Sequence, residues 1–156
     1  MEEVNLYIAT DLRGPRRQTG SCMYLLTMET SKGPQTRGRV VKLEDTTENQ
    51  ITLAALDEAL GRIKRPVRVC LWLDCKYVAG AIAHEWPQAW EKAGWMTSKG
   101  KTVTDAEKWQ SVLEKIRAHE VSVKIGEHHE YKSWMLREIS RAVEEGAAAG
   151  GLMPAT

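Results

Sequence analysis

Seven basic side chains, Arg13, Arg16, Arg17, Lys32, Arg37, Arg39 and Lys42, lie between positions 13 and 42 against a single acid, Glu29. Such a local excess of positive charge suits an edge that faces phosphates. Residues 44 to 60 reverse the sign, with five acids and no base. A second stretch, residues 85 to 101, carries Trp86, Trp90 and Trp95 with Lys92, Lys99 and Lys101 and glycines at 94 and 100. Two aspartates, Asp11 and Asp74, each close an apolar run. His128-His129-Glu130 has the residue types of a zinc site. It lacks the one-turn histidine spacing of helical zinc sites and has no cysteine nearby, so it reads as a polar loop. Cys22, Cys70 and Cys75 are odd in number and have no metal-site spacing. They read as small hydrophobes in a reducing compartment, with Cys75 a half-buried thiol.

The elements that must position these residues follow from periodicity. Val4, Leu6 and Ile8 alternate with Asn5, Tyr7 and Ala9, which predicts a strand over 4–11 ending at Asp11. Gly14-Pro15 and Thr19-Gly20 mark a turn, and a second strand covers 21–28. Lys32-Gly33-Pro34 is a hairpin turn before a third strand, Arg37 to Leu43. Thr47 with Gln50 fits a reciprocal capping box. The apolar stripe Ile51, Leu53, Ala55, Leu56, Ala59, Leu60 and Ile63 then predicts a helix that Pro66 stops. Val67, Val69, Leu71 and Leu73 alternate into a fourth strand ending at Asp74. A short helix runs from Tyr77 to about His84, and a further helix falls within the Trp-rich stretch. Thr104 with Glu107 forms a second capping box before the stripe Trp109, Val112, Leu113 and Ile116. A fifth strand holds Val121, Val123 and Ile125, and a last helix spans about Tyr131 to Glu145. Small residues from 147 to 156 read as a flexible tail after a single domain over 1–146.

Composition bounds the function class. The chain has 156 residues, 42% hydrophobic and 28% charged, with 22 basic and 21 acidic side chains and a net charge of +1. That suits one folded domain and argues against a disordered polyanion or a histone-like basic tail. A near-zero total still permits a basic patch. No stretch approaches the ~18 apolar residues of a membrane helix, and no basic-then-apolar leader opens the chain. The expectation is a soluble, cytoplasmic protein with no membrane partner, monomeric in solution. The order of elements predicts an α/β fold. Its mixed five-stranded sheet is built from three antiparallel strands, then alternating helices and strands, with helices on both faces.

On these residues the chain resembles type I ribonuclease H. The specific segments are Trp90-Glu91-Lys92-Ala93-Gly94-Trp95, then Gly100-Lys101-Thr102-Val103, then Trp109-Gln110-Ser111-Val112-Leu113. They are similar to the basic handle and following helix of ribonucleases HI. Thr46-Thr47-x-Asn49 before the first helix and Asp74-x-x-Tyr77-Val78 after the fourth strand also match. The likeness covers roughly residues 4 to 145 and implies a ribonuclease H-like fold. It also implies cleavage of the RNA strand of an RNA/DNA hybrid with two magnesium ions.

Carried over residue by residue, the resemblance assigns Asp11 and Asp74 as catalytic and metal-binding. It finds only two of four carboxylates. Thr52 stands where the family has a helix Glu. Trp134, or Met135 with a one-residue slip, stands where it has the last Asp. Two carboxylates leave two divalent cations undercompensated, so Mg or Mn is expected to bind weakly if at all. Glu48 could stand in for the lost helix acid, and Glu130 for the last; His128 or Glu127 lies where the family places a product-releasing His. The nucleic-acid-binding set implied is Thr47, Asn49, Lys76, Trp86, Lys92, Trp95, Lys99 and Lys101. Trp90 and Trp109 suit helix packing, while Trp86 and Trp95 are expected partly exposed. Thr104 departs from an Asn in the family's phosphate pocket, and Lys76 from a Gln. The expected ligand is RNA/DNA hybrid or double-stranded RNA. Three functions stay open. One is a ribonuclease H-like domain that binds hybrid with weak or lost cleavage. Another is an active Mg-dependent endonuclease with displaced carboxylates. The third is an interaction module that keeps only the fold.

Overall fold

The computed structural model describes residues 1–152, with side chains through residue 145. Ten elements follow one another: β1 Glu3–Thr10, β2 Gln18–Thr30, β3 Gly33–Thr46, α1 Glu48–Gly61, β4 Arg68–Leu73, α2 Lys76–Ala83, α3 Trp86–Lys92, α4 Ala106–Ile116, β5 Glu120–Ile125 and α5 Lys132–Leu152. The sheet order is β3-β2-β1-β4-β5. β1 and β3 run antiparallel to β2, whereas β1, β4 and β5 are mutually parallel. This is the mixed sheet expected from the sequence, with the same order of elements.

Alternation along the central strands builds two cores. Leu6, Ile8, Leu71 and Leu73 point to one face, where they meet Leu53, Leu56 and Leu60 of α1, Val78 and Ile82 of α2, and Trp109 and Val112 of α4. Tyr7, Ala9, Met23 and Leu25 point to the other face, where Met135 and Ile139 of α5 cover them. The larger core contains Leu53, Leu56, Leu60, Leu71 and Leu73, each at most 1% exposed. Burying a leucine to that degree contributes on the order of 1.5–3 kcal/mol, so the face bearing α1, α2 and α4 dominates stability.

The structure departs from the sequence pattern at several boundaries. The β2–β3 hairpin is longer than the apolar run, extending to Thr30 and Gly33, with a solvated end. Water covers both faces there, so no hydrophobic alternation marks it. Thr47 caps α1 by accepting the Gln50 amide at 3.2 Å, but the Gln50 side chain does not reach back. Its Nε2 instead donates to Asp105 Oδ1 at 3.0 Å. Asp105 is itself the N-cap of α4, in a left-handed conformation (φ 58°) and without a side-chain cap. The expected Thr104–Glu107 box therefore does not form. Asp105 is committed to tying α4 to the start of α1, and Ser111 and Lys115 reinforce the pairing through Asp57, each at 2.8 Å. The tail expected over 147–156 falls on the last residues of α5 and on 153–156, which lie outside the described residues. No helix among the described residues is long and apolar enough to cross a membrane.

Candidate nucleic-acid interface

Parallel pairing of β1 with β4, in register Ile8 with Leu73, makes both strands end at the same edge of the sheet. Asp11 follows β1 and Asp74 follows β4, so the two carboxylates leave the sheet from neighbouring strands. Asp11 is pinned to β2: its Oδ1 accepts the Ser21 amide at 2.8 Å, and its own amide donates to the Ser21 carbonyl at 3.2 Å. Thr10 Oγ1 donates to the same carbonyl at 2.7 Å. The next residue, Leu12, is buried against Gly20, where an added Cβ would come within 2.3 Å of the Leu12 side chain. Glycine at position 20 thus fixes the turn that presents Asp11.

Asp74 is not a free carboxylate. Its Oδ2 pairs with Nζ of Lys132, the first residue of α5, and both side chains are only about a quarter exposed, at 21% and 26%. Sequence reasoning placed Trp134 or Met135 here. Instead Trp134 points outward at 38% exposure, and Met135 is fully buried beneath α5. The residue α5 brings to Asp74 is Lys132. One signal could have found it: a cation in the first turn of a helix opposes the helix dipole and calls for a compensating acid.

Thr52, at the position implied to carry a glutamate, is 1% exposed, and its hydroxyl has no oxygen or nitrogen partner, only the Cys75 thiol beside it. Cys75 lies beside it, buried, with Sγ donating to Asn49 Oδ1 at 3.1 Å. Burial pushes the Cys75 thiol up from its ordinary pKa, so it stays protonated. Buried Cys22 is pushed up the same way, with Asp11 adding to the effect. Glu48, at the first position of α1, reaches across to the turn after β1, where Oε1 accepts the Gly14 amide at 2.9 Å. Asn49 and Thr47 stand on the same helix end, their side-chain oxygens engaged by Cys75 and Gln50.

The His-rich loop divides into two roles. His129 packs against Tyr7, ring centroids 4.4 Å apart, and its Nδ1 accepts the Tyr131 amide at 3.2 Å. Burial first, and the nearby Lys132 second, hold it below the ordinary histidine pKa. His128 is exposed. Among the described residues, no three His, Cys, Asp or Glu side chains gather in a metal-binding cluster.

Beyond the sheet edge, aromatic rings run in a chain. Tyr77 meets Trp86 at 6.1 Å, Trp86 meets Trp90 at 6.4 Å, and Trp90 meets Trp95 at 6.4 Å and Trp109 at 5.4 Å. Trp109 is buried and Trp90 and Trp95 are half-buried; Trp86 and Tyr77 are exposed, at 40% and 44%. Trp95 adopts a left-handed conformation (φ 62°), a strained state for an aromatic residue. The Val103 amide on its carbonyl, at 2.8 Å, holds it there. A small bridge, Met96 with Thr102, closes the loop that carries Lys99 and Lys101. Lys92, Lys99, Lys101 and Lys76 are all exposed. Tyr77, a motif residue in the sequence, joins Trp86 as an exposed aromatic next to Lys76.

With this geometry in place, comparison with known proteins is specific. The RNase H family model matches residues 5–133. The Ribonuclease H of Acidovorax sp. (strain JS42) is 42% identical over 83 residues, 53% of this chain and 54% of the relative. That of Paracidovorax citrulli (strain AAC00-1) is 48% identical over 65 residues, 42% of this chain and 43% of the relative. The aligned region thus spans about half the length of the curated relatives. Among solved structures, a type 1 RNase H with the type 2 active-site motif superposes with TM-score 0.72 at 21% identity, covering 97% of this chain and 74% of that one. The foamy viral protease-reverse transcriptase in complex with RNA/DNA hybrid superposes with TM-score 0.57 at 17% identity, covering 82% of this chain and 18% of that one.

Proposed function

Because the chain belongs to the ribonuclease H family, we propose that it binds nucleic acid of the RNA/DNA-hybrid type and that its metal-dependent cleavage is weak or lost. The observation that carries this reading is the Lys132–Asp74 ion pair. Ribonucleases H generally use divalent metal ions, and magnesium needs several hard oxygen donors with enough negative charge to offset it. Here Lys132 cancels the charge of Asp74. Thr52 offers a neutral hydroxyl, and Cys75 beside it a protonated thiol. Asp11 and Glu48 are left without a cation, each with one oxygen held by a backbone amide, of Ser21 and Gly14. These donors do not fit a pair of magnesium ions. Glu48 enters this reading as the acid that ties the Gly14 turn to α1.

The binding side of the reading rests on exposed groups. Lys92, Lys99 and Lys101 reach phosphates, and Trp86 with Tyr77 offers apolar rings to sugars, contacts that position a strand without reading its sequence. The N-terminus of α1, its Glu48 and Gln50 amides already engaged by Gly14 and Thr47, adds only the positive end of its dipole. A gel-shift with labelled RNA/DNA hybrid tests this at rising salt. The expected result is retardation that weakens as salt increases. A double-stranded RNA arm tests whether A-form shape suffices. Absence of any salt-sensitive shift with hybrid would leave only the fold in common with the family.

A further inference from the structure

We propose that the Lys132 ammonium is a built-in replacement for a divalent cation at Asp74, so that this centre balances its charge with a protein-borne cation and takes up no metal there. Three observations converge. Lys132 Nζ sits directly on Asp74 Oδ2, both only partly exposed. It does so from the first position of α5, where the helix dipole disfavours a cation, so the carboxylate is what makes a lysine tolerable there. The third is Thr52, whose buried hydroxyl has only the Cys75 thiol beside it. A thiol is a weak partner for a buried hydroxyl, and no carboxylate or cation satisfies it here.

The charge count explains why the arrangement is self-consistent. Lys132 and Asp74 cancel, and Asp11 and Glu48 each add one negative charge, partly satisfied by the Ser21 and Gly14 amides. An aqueous divalent cation approaching this edge meets two amide-held acids and a positive ammonium at the position it would take on Asp74. Its attraction to Asp11 and Glu48 is offset by repulsion from Lys132. Exchanging the lysine for an acid lowers the local charge by two units, and adding a glutamate at Thr52 lowers it by one more. The substitution Lys132→Asp also places an acid in the first turn of a helix, where the dipole favours it.

Manganese supplies a direct test, because the sharp electron paramagnetic resonance signal of the aqueous ion disappears on binding. The wild type is expected to leave the Mn²⁺ signal unchanged. Lys132→Gln should bind weakly, Lys132→Asp about tenfold more tightly than the wild type or better, and Thr52→Glu with Lys132→Asp most tightly. Adding Asp74→Asn to Lys132→Asp should abolish the gain. Circular dichroism confirms that each variant is folded; if Thr52→Glu is not, the two Lys132 variants decide alone. A wild-type Mn²⁺ site that Asp74→Asn removes, or equal affinity in wild type and Lys132→Asp, would overturn the proposal. A separate arm, retardation of hybrid in EDTA and in Mg²⁺, rests on the proposed function. Equal binding in both is expected, and loss of binding in EDTA would count against the built-in cation. No binding in either defeats the hybrid reading while the manganese result stands.

Discussion

Among single residues, Thr52 carries the most direct cost in stability. Its hydroxyl is buried in α1 with only the weakly bonding Cys75 thiol beside it, and a poorly satisfied buried group costs on the order of 1–3 kcal/mol. Replacing it with the similarly shaped valine should stabilise the fold by about 1 kcal/mol, read as a higher urea midpoint with unchanged slope. A lower midpoint would mean the hydroxyl has a partner. The same scale separates Trp134 from Met135. Met135→Ala should cost about 2–5 kcal/mol, because Met135 is fully buried between α5 and the sheet. Trp134→Ala should change the midpoint little, since its ring faces water. The positions of Asp11 and Asp74 at strand ends were legible in the sequence because each follows an apolar alternation. Lys132 was not, because the pattern of apolar residues marks which face a helix buries and is silent about which polar end group meets a distant strand.

At the scale of elements, the two half-buried histidines couple the parallel strands to pH. His119 precedes β5 and its Nδ1 accepts the Val67 amide at 3.1 Å, just before β4. His129 leads into α5 against Tyr7. Burial holds both below the ordinary value of 6.5. A histidine whose folded pKa is depressed binds its proton more readily in the unfolded state. Its stabilisation is therefore complete above the unfolded value and is lost as pH falls from about 6.5 toward the folded one. Stability measured by urea at pH 7.5 and pH 5.5 should fall across that interval. The variant His119→Gln with His129→Gln should flatten the fall; an unchanged slope would assign it to other groups. Elements themselves were readable wherever one face is apolar, as in β1, β4, α1 and α4. The distal β2–β3 hairpin was not, because water covers both of its faces. The α4 cap was not, because Asp105 serves Gln50 of another helix, and a local motif cannot report a contact 55 residues away.

At the scale of the whole molecule, an overall charge near zero hides an uneven surface. Lysines gather on the loop between α3 and α4, and the candidate acids gather at the sheet edge. If that loop holds a nucleic-acid backbone, Lys99→Ala with Lys101→Ala should weaken hybrid binding uniformly across sequences. It should also reduce the slope of log affinity against log salt by about 0.9 for each phosphate contact removed. An unchanged slope would place the contact elsewhere. The central claim is that this chain keeps a hybrid-binding scaffold around a centre whose own lysine neutralises the acid a metal would need. Incubating end-labelled RNA/DNA hybrid with the purified protein in Mg²⁺ and in Mn²⁺ tests it most directly. The account predicts hybrid that is retarded on a native gel and intact on a denaturing one. RNA fragments that appear with wild type and vanish with Asp11→Asn would contradict it.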